Sequence, residues 1–295
     1  MSPTVPSGVL LDAGRGGLPR LTIDTGLCAA ELYLHGGHVC RWQPRSQPHP
    51  VLWMSGASRF EAGVPIRGGV PICFPWFGPK AGDPAAPVHG VARISLWRLE
   101  SSTIDSDGAA AVRLALAPND SARPGMLGDL DLAFELRLGA ALSMTLIVTN
   151  RGEAPLAFEE ALHTYLAVGD VRRVTVAGLG TATYVDKVDG GKRKTQAEDV
   201  VTVAAETDRL YLDTEAGITL VDPVFGRRIH VAKAGSRSSV VWNPWVAKSR
   251  AMPDFGDDEW PGMICIETAN AADNAVTLPP RGNHRMSATL TVASI

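Results

Sequence analysis

The sequence lacks any concentration of charge of one sign. Its 28 Lys and Arg stand against 31 Asp and Glu, the net charge is -3, and no block of basic residues interrupts the chain. A dedicated nucleic-acid binder presents a basic face, so the composition argues against that class, although a few arginines can still converge on one anion. Cysteine is scarce: Cys28, Cys40, Cys73 and Cys265 are scattered, with no CxxC pair. That usage suits reduced thiols in a cytoplasmic protein better than a disulfide framework. No apolar stretch reaches the length that crosses a bilayer. The opening "MSPTVPSGVLLDAG" has no basic segment ahead of an apolar core, so no signal peptide and no membrane partner are expected. A Walker loop, a Rossmann glycine fingerprint and a GxSxG elbow are all missing, which leaves no motif for a cofactor.

What is present is a large supply of strand-like sequence. Hydrophobic residues make up 45% of the 295 positions, enough for a substantial core. The 30 Gly and 21 Pro are spread evenly, and long capped helical patterns are rare. In "LDLAFELRLGAALSMTLIVTNRG", Leu132, Phe134, Leu136 and Leu138 alternate with polar or small residues. After a "GAA" turn, Leu142, Met144, Leu146 and Val148 do the same, as in a β-meander. Similar runs recur to the C-terminus ("GITLVD", "RRIHVAK", "SSVVWN", "GMICIETA"). The expected fold is all-β, a large antiparallel β-sandwich or barrel, in one domain over residues 1–295. Three segments break the rhythm: a Pro/Gly-dense stretch over 64–93, a polar stretch over 186–199 expected to be an exposed loop, and an irregular aromatic stretch over 242–263.

The run "EEALHTYLAVGD" (159–170) reads as a strand bounded by Gly152, Pro155 and Gly169. Period two then puts Glu159, His163 and Tyr165 on one face. His163 suits general acid–base chemistry, although a core histidine bonded to backbone is the simpler reading in isolation. The balance shifts with "GMICIETAN", where Met263, Cys265 and Glu267 share a face. A carboxylate at the end of an apolar strand needs a partner or a function, and desolvation raises its pKa toward the range useful for proton transfer. Glu267 and His163 are therefore a candidate acid–base pair, though spacing alone does not bring them together. In "IRGGVPICFPWFGP", Arg67 precedes Gly68 and Gly69, whose amides could approach an anion. Downstream, "HGVAR" supplies His89 and Arg93, and arginine suits phosphate; two unrelated surface arginines fit equally well. Phe74, Trp76 and Phe77 read as core or as the apolar floor under a sugar, in which case the polar strand face lines a cleft. The "HGGH" pair, His35 and His38, points to opposite faces of a strand and is not expected to bind metal. Asp257, Asp258 and Glu259 are expected in a solvated loop. Asp208 either binds a hydroxyl or pairs with Arg209.

Taken in order, "LHGGHVCRW", "IRGGVPICFPWFGP", "HGVAR", "EEALHTYLAVGD", "ETDRLY", "WNPW" and "PGMICIETAN" make the chain resemble the aldose 1-epimerase superfamily, in its hexose-6-phosphate mutarotase branch. The resemblance runs along nearly the whole chain. It implies a large antiparallel β-sandwich of the galactose mutarotase type, no cofactor or metal, often a monomer, and a hexose phosphate as substrate. It also implies His163 and Glu267 as the catalytic pair, with Arg67, Arg93 and Asp208 binding substrate and His89 orienting the sugar. Trp76 is expected under the sugar ring. The family often has Gln before "HG"; Val88 stands there, which removes a polar side chain. Two other readings fit parts of the pattern: a non-catalytic carbohydrate-binding sandwich, or a glycoside hydrolase drawing a second carboxylate from Glu159 or Glu160.

Overall fold

Alternation of large apolar with small or polar residues builds the largest sheet, as seen in a computed structural model that describes residues 5–295. In Leu130–Leu138 and Leu142–Asn150 every second residue is buried, and their register pairs Phe134 with Leu146 and Leu136 with Met144. The four alternating residues named above in each strand are all buried. These two strands lie within a nine-stranded sheet that also contains the long C-terminal strand Asn283–Ser294. Facing it is an eight-stranded sheet centred on Thr207–Tyr211, Ser238–Asn243 and Met263–Asn270. A four-stranded sheet of two N-terminal hairpins, Val9–Ala13 through His38–Pro44, completes the frame with a short two-stranded ribbon. All pairings between these strands are antiparallel. The four cysteines are buried and unpaired, and no helix among the described residues is long and apolar enough to cross a membrane.

Burial explains why the central strands of the eight-stranded sheet lose the alternation. Met263–Asn270 and Ser238–Asn243 are buried along their whole length, because one face meets the core and the other is roofed by loops. Two irregular stretches of the sequence carry regular structure. Part of the polar stretch is a hairpin, Thr183–Asp186 with Lys192–Thr195, whose turn is closed by Asp186 accepting from the amides of Val188 and Asp189. The aromatic stretch contains a seven-residue helix, Trp245–Ala251, which opens where Asn243 Oδ1 accepts from the Trp245 amide. Both were hidden by polar or bulky residues with no long period. Glu259 is not simply solvated. Its carboxylate accepts from Ser55 Oγ and from the amides of Gly56 and Gly256, tying two loops together.

The two large sheets are also joined by a buried polar contact. Glu160 is fully buried and meets His284 Nε2 on the opposite sheet at 2.8 Å, while Asn270 Nδ2 donates to the same oxygen. The hydrogen bond to Glu160 raises the His284 pKa from 6.5, against the opposing effect of burial. A raised pKa in the folded state stabilises fully below the unfolded value near 6.5 and is lost as pH rises through the higher folded value. The expected outcome is that stability falls as pH climbs from 6 into the alkaline range. Glu160→Gln should flatten that slope and remove about 1–3 kcal/mol at pH 6. Urea titrations of both proteins at several pH values provide the check.

Candidate active site

The register of the eight-stranded sheet assembles the site. The Glu159–Asp170 segment is not one continuous strand: Glu160–Leu162 and Tyr165–Ala167 both pair with Met263–Asn270, with a break at His163 and Thr164. The flanking pairs Leu162↔Thr268 and Tyr165↔Cys265 keep the same register across the break. His163 therefore lies opposite Glu267. Their side chains meet, with Nε2 3.3 Å from Oε1. On the next strand Val240 pairs with Glu267 and Trp242 with Cys265, and beyond them Asp208 pairs with Trp242. Directly opposed residues share a face, so the face presents one row ending in Asp208, Trp242, Cys265 and Tyr165, and a second of Val240, Glu267 and His163. Loops rise on either side of it to enclose a cavity of about 420 Å³, a size suited to one small ligand.

Burial sets the protonation of the pair. His163 and Glu267 are 7% and 1% exposed, so neither charge is well solvated. Desolvation, with Arg67 and Arg93 nearby, holds the imidazole well below its ordinary pKa. Desolvation likewise pushes the Glu267 carboxyl well up, opposed by Lys187 and Arg93 and reinforced by Asp208. Both shifts favour the neutral forms, with the proton of the pair on the carboxyl side. His163 Nδ1 and Glu267 Oε2 are buried without a protein partner. No hydrogen bond from Nδ1 orients the ring; it is packed instead, stacked on Tyr165 at 4.8 Å and 12° and edge-on to Trp242 and His89.

Arg67, Arg93, Asp208 and His89 all line this cavity. His89 occupies the left-handed region, with φ 62°, an uncommon and strained conformation for histidine that a surrounding structure must enforce. Its amide donates to Gly78 O, and Gly78 N–H donates back to His89 Nδ1 at 3.1 Å. Burial first, then Arg93, keeps the ring neutral. With Nδ1 accepting, the ring hydrogen is assigned to Nε2, which becomes a donor. Arg93 donates to the Val88 carbonyl at 2.6 Å while its Nε is buried without a partner; at position 88 the backbone, not the side chain, is used. Asp208 lies 3.8 Å from Lys187 and from Lys248 and makes no pair with Arg209, which reaches Gln196. Its pKa is raised, by burial above all.

Some expectations are corrected. Trp76 lies outside the cavity: its indole N–H donates to Pro87 O and Lys80 covers its ring. Successive residues of extended chain point to opposite sides, and Phe77 is the one that lines the wall. The Gly69 amide donates to Trp53 O within the fold. A Cβ on Gly69 would stand 2.2 Å from Val39 O, and one on Gly68 2.6 Å from the Met54 Cα; Gly69 lets the chain pass against the N-terminal sheet, and Gly68 against the segment at Trp53 and Met54. Lys187 and Lys248 were not expected in the wall, since both sit in stretches that read as irregular and only the tertiary fold brings them in. Glu159 accepts from the amides of Phe77 and Ala272, and Glu160 is bound to His284. Neither can serve as a second carboxylate beside Glu267. His35 and His38 are each bonded to a different carbonyl, of Val64 and Gly68. Among the described residues one group could hold a metal: the ligating atoms of His163, Cys265 and Glu267 lie within 4.8 Å of one another. Burial raises the Cys265 thiol well above its ordinary pKa, so it fills this space as a neutral apolar group.

Comparison with known proteins shows the family. The family model for aldose 1-epimerase matches residues 19–291. A relative from Escherichia coli, provisionally named a glucose-6-phosphate 1-epimerase, is 35% identical over 256 residues, 87% of this chain and 84% of its own. One from Cenchrus ciliaris with the same provisional name is 34% identical over 280 residues, 88% of this chain and 82% of its own. The crystal structure of a provisionally named mutarotase from Salmonella typhimurium superposes with a TM-score of 0.86 at 30% identity, covering 97% of both chains. With the match spanning both sheets and the paired histidine and glutamate, the chain belongs to the aldose 1-epimerase family.

Proposed function

We propose that this protein is a hexose-6-phosphate 1-epimerase that interconverts the α and β anomers of glucose 6-phosphate. It would act as one cytoplasmic, monomeric catalytic domain without a cofactor. The observation that carries this reading is the 3.3 Å approach of His163 to Glu267 in a cavity walled by Arg67, Arg93, Lys187 and Lys248. Glu267, as carboxylate, takes the proton of the anomeric hydroxyl while His163, as imidazolium, gives one to the ring oxygen. The C1–O5 bond breaks and the free aldehyde forms. Rotation about C1–C2 followed by closure, with the two roles reversed, returns the other anomer and regenerates the pair. The net reaction moves no proton out of the site.

The neutral resting pair is one proton transfer from its working form. Moving the proton from Glu267 to His163 makes a carboxylate and an imidazolium in contact. Desolvation opposes that step at both groups; the nearby cations disfavour the imidazolium, Arg67 and Arg93 first, but favour the carboxylate, Lys187 and Arg93. A phosphate dianion seated among them offsets the part of their field that acts on His163, so binding the proper substrate raises the imidazole's affinity for the proton. Asp208 and the Nε2 hydrogen of His89 are placed to bond sugar hydroxyls, which fixes the ring between acid and base.

Exchange between the α and β signals of glucose 6-phosphate, followed by NMR, tests the reading. The protein should accelerate exchange, and an unchanged rate would leave only a sugar-binding module. Glu267→Gln and His163→Asn should each lower turnover roughly 10²–10⁴-fold with the fold intact by circular dichroism. Near-normal turnover in either variant would remove that residue from the mechanism. Arg93→Ala should weaken glucose 6-phosphate far more than glucose.

A further inference from the structure

Four cations face the cavity, and their compensation is unequal. Arg67 is committed. Its Nε and Nη2 donate to the two oxygens of Asp254 at 3.2 Å each, and its Nη1 donates to Tyr165 OH at 2.9 Å. Three of its five donors and its charge are thereby matched. Lys248 is 3.0 Å from Glu206. Lys187 has only Asp208, at 3.8 Å, and shares it with Lys248 at the same distance; its ammonium rests 4.4 Å from the centre of the Phe77 ring. Arg93 has one carbonyl partner, a buried Nε without one, and no ion pair among the described residues. The unbalanced positive charge of the cavity therefore belongs to Arg93 and Lys187.

The group that Arg67 does hold has a different consequence. Tyr165 stacks between Trp53, at 5.7 Å and 19°, and His163, at 4.8 Å and 12°. No protein group bonds to His163 Nδ1, so packing sets the plane of the imidazole, with this stack on its face and Trp242 and His89 at its edges. The Asp254–Arg67 pair pins the hydroxyl end of the ring that supports it.

We propose that the substrate phosphate is held by Arg93 and Lys187, whereas Arg67, anchored by Asp254, is a positioning residue that orients His163 through Tyr165. This division of labour rests on the epimerase reading for its substrate, but its two halves can be measured without turnover. Inorganic phosphate binding, by calorimetry, should survive Arg67→Gln within a few-fold and weaken about tenfold or more in Lys187→Met and Arg93→Met, as expected for loss of a hydrogen-bonded charge. The ¹⁵N and ¹H shifts of the His163 ring should move in Arg67→Gln and Asp254→Asn. In kinetics, those two variants should lose turnover on glucose 6-phosphate and on glucose by similar factors, on the order of 10²-fold, with the preference for the phosphorylated sugar unchanged. Lys187→Met should lower that preference. Tyr165→Phe, which keeps the stack, should retain much more turnover than Tyr165→Leu. Loss of phosphate binding in Arg67→Gln, or unmoved His163 shifts there, would overturn the assignment. If the wild-type protein accelerates neither sugar, the epimerase reading fails, while the phosphate and imidazole measurements still decide the roles of these residues.

Discussion

Everything at the site depends on one strand register. Antiparallel pairing of Met263–Asn270 with the two pieces of the broken strand, Glu160–Leu162 and Tyr165–Ala167, fixes Glu267 against His163. A slip of one residue in Met263–Asn270 would turn Glu267 away from the cavity and from His163. That register is held from several directions. Ser238–Asn243 pairs with the far edge of the same strand, and Glu160 is clamped through Asn270 and His284. The break itself is useful. His163 N–H bonds to Pro71 O and Tyr165 N–H to Gly69 O, so the interrupted strand is stitched to the Arg67-bearing loop rather than to a regular neighbour.

The second constraint is dielectric. A histidine and a glutamate side by side in water would form an ion pair of little worth. Buried together, each disfavours its own charge, and the lowest state is the neutral one. The surrounding cations then control how easily the pair becomes charged. A ligand carrying negative charge beside those cations changes the proton affinity of His163, so substrate recognition and protonation of the acid are electrostatically linked.

Much of this was legible in the sequence. The strands of the nine-stranded sheet have one wet and one dry face, so period two shows directly in Leu130–Leu138 and Leu142–Asn150. His163 and Glu267 stood out because a polar residue on an otherwise apolar strand has few explanations. Arg93 and Asp208 were found through motif order. What failed to show was whatever depends on where a loop goes. Trp76 and Phe77 are adjacent aromatics of equal promise, and only the path of the backbone sends one into the wall and the other behind it. Lys187 sits in a run of lysines, arginines and aspartates where no local pattern singles it out. Asp254 lies 187 residues from its arginine, and an acidic residue in an irregular stretch carries no sign of such a partner. The glycines after Arg67 were read as places where an anion could come close; what comes close is backbone, Val39 of the neighbouring sheet at Gly69 and Trp53 and Met54 at Gly68.

That contact reaches further than the loop. The N-terminal hairpins contribute no side chain to the cavity wall, yet the Gly69 backbone rests against Val39 so closely that even a methyl group would not fit. Its neighbour Arg67 inherits its direction from that wedge. The N-terminal sheet, residues 9–44, therefore acts as an abutment for a cavity to which it lends no side chain. Shortening or replacing it would damage the chemistry as surely as altering the wall itself.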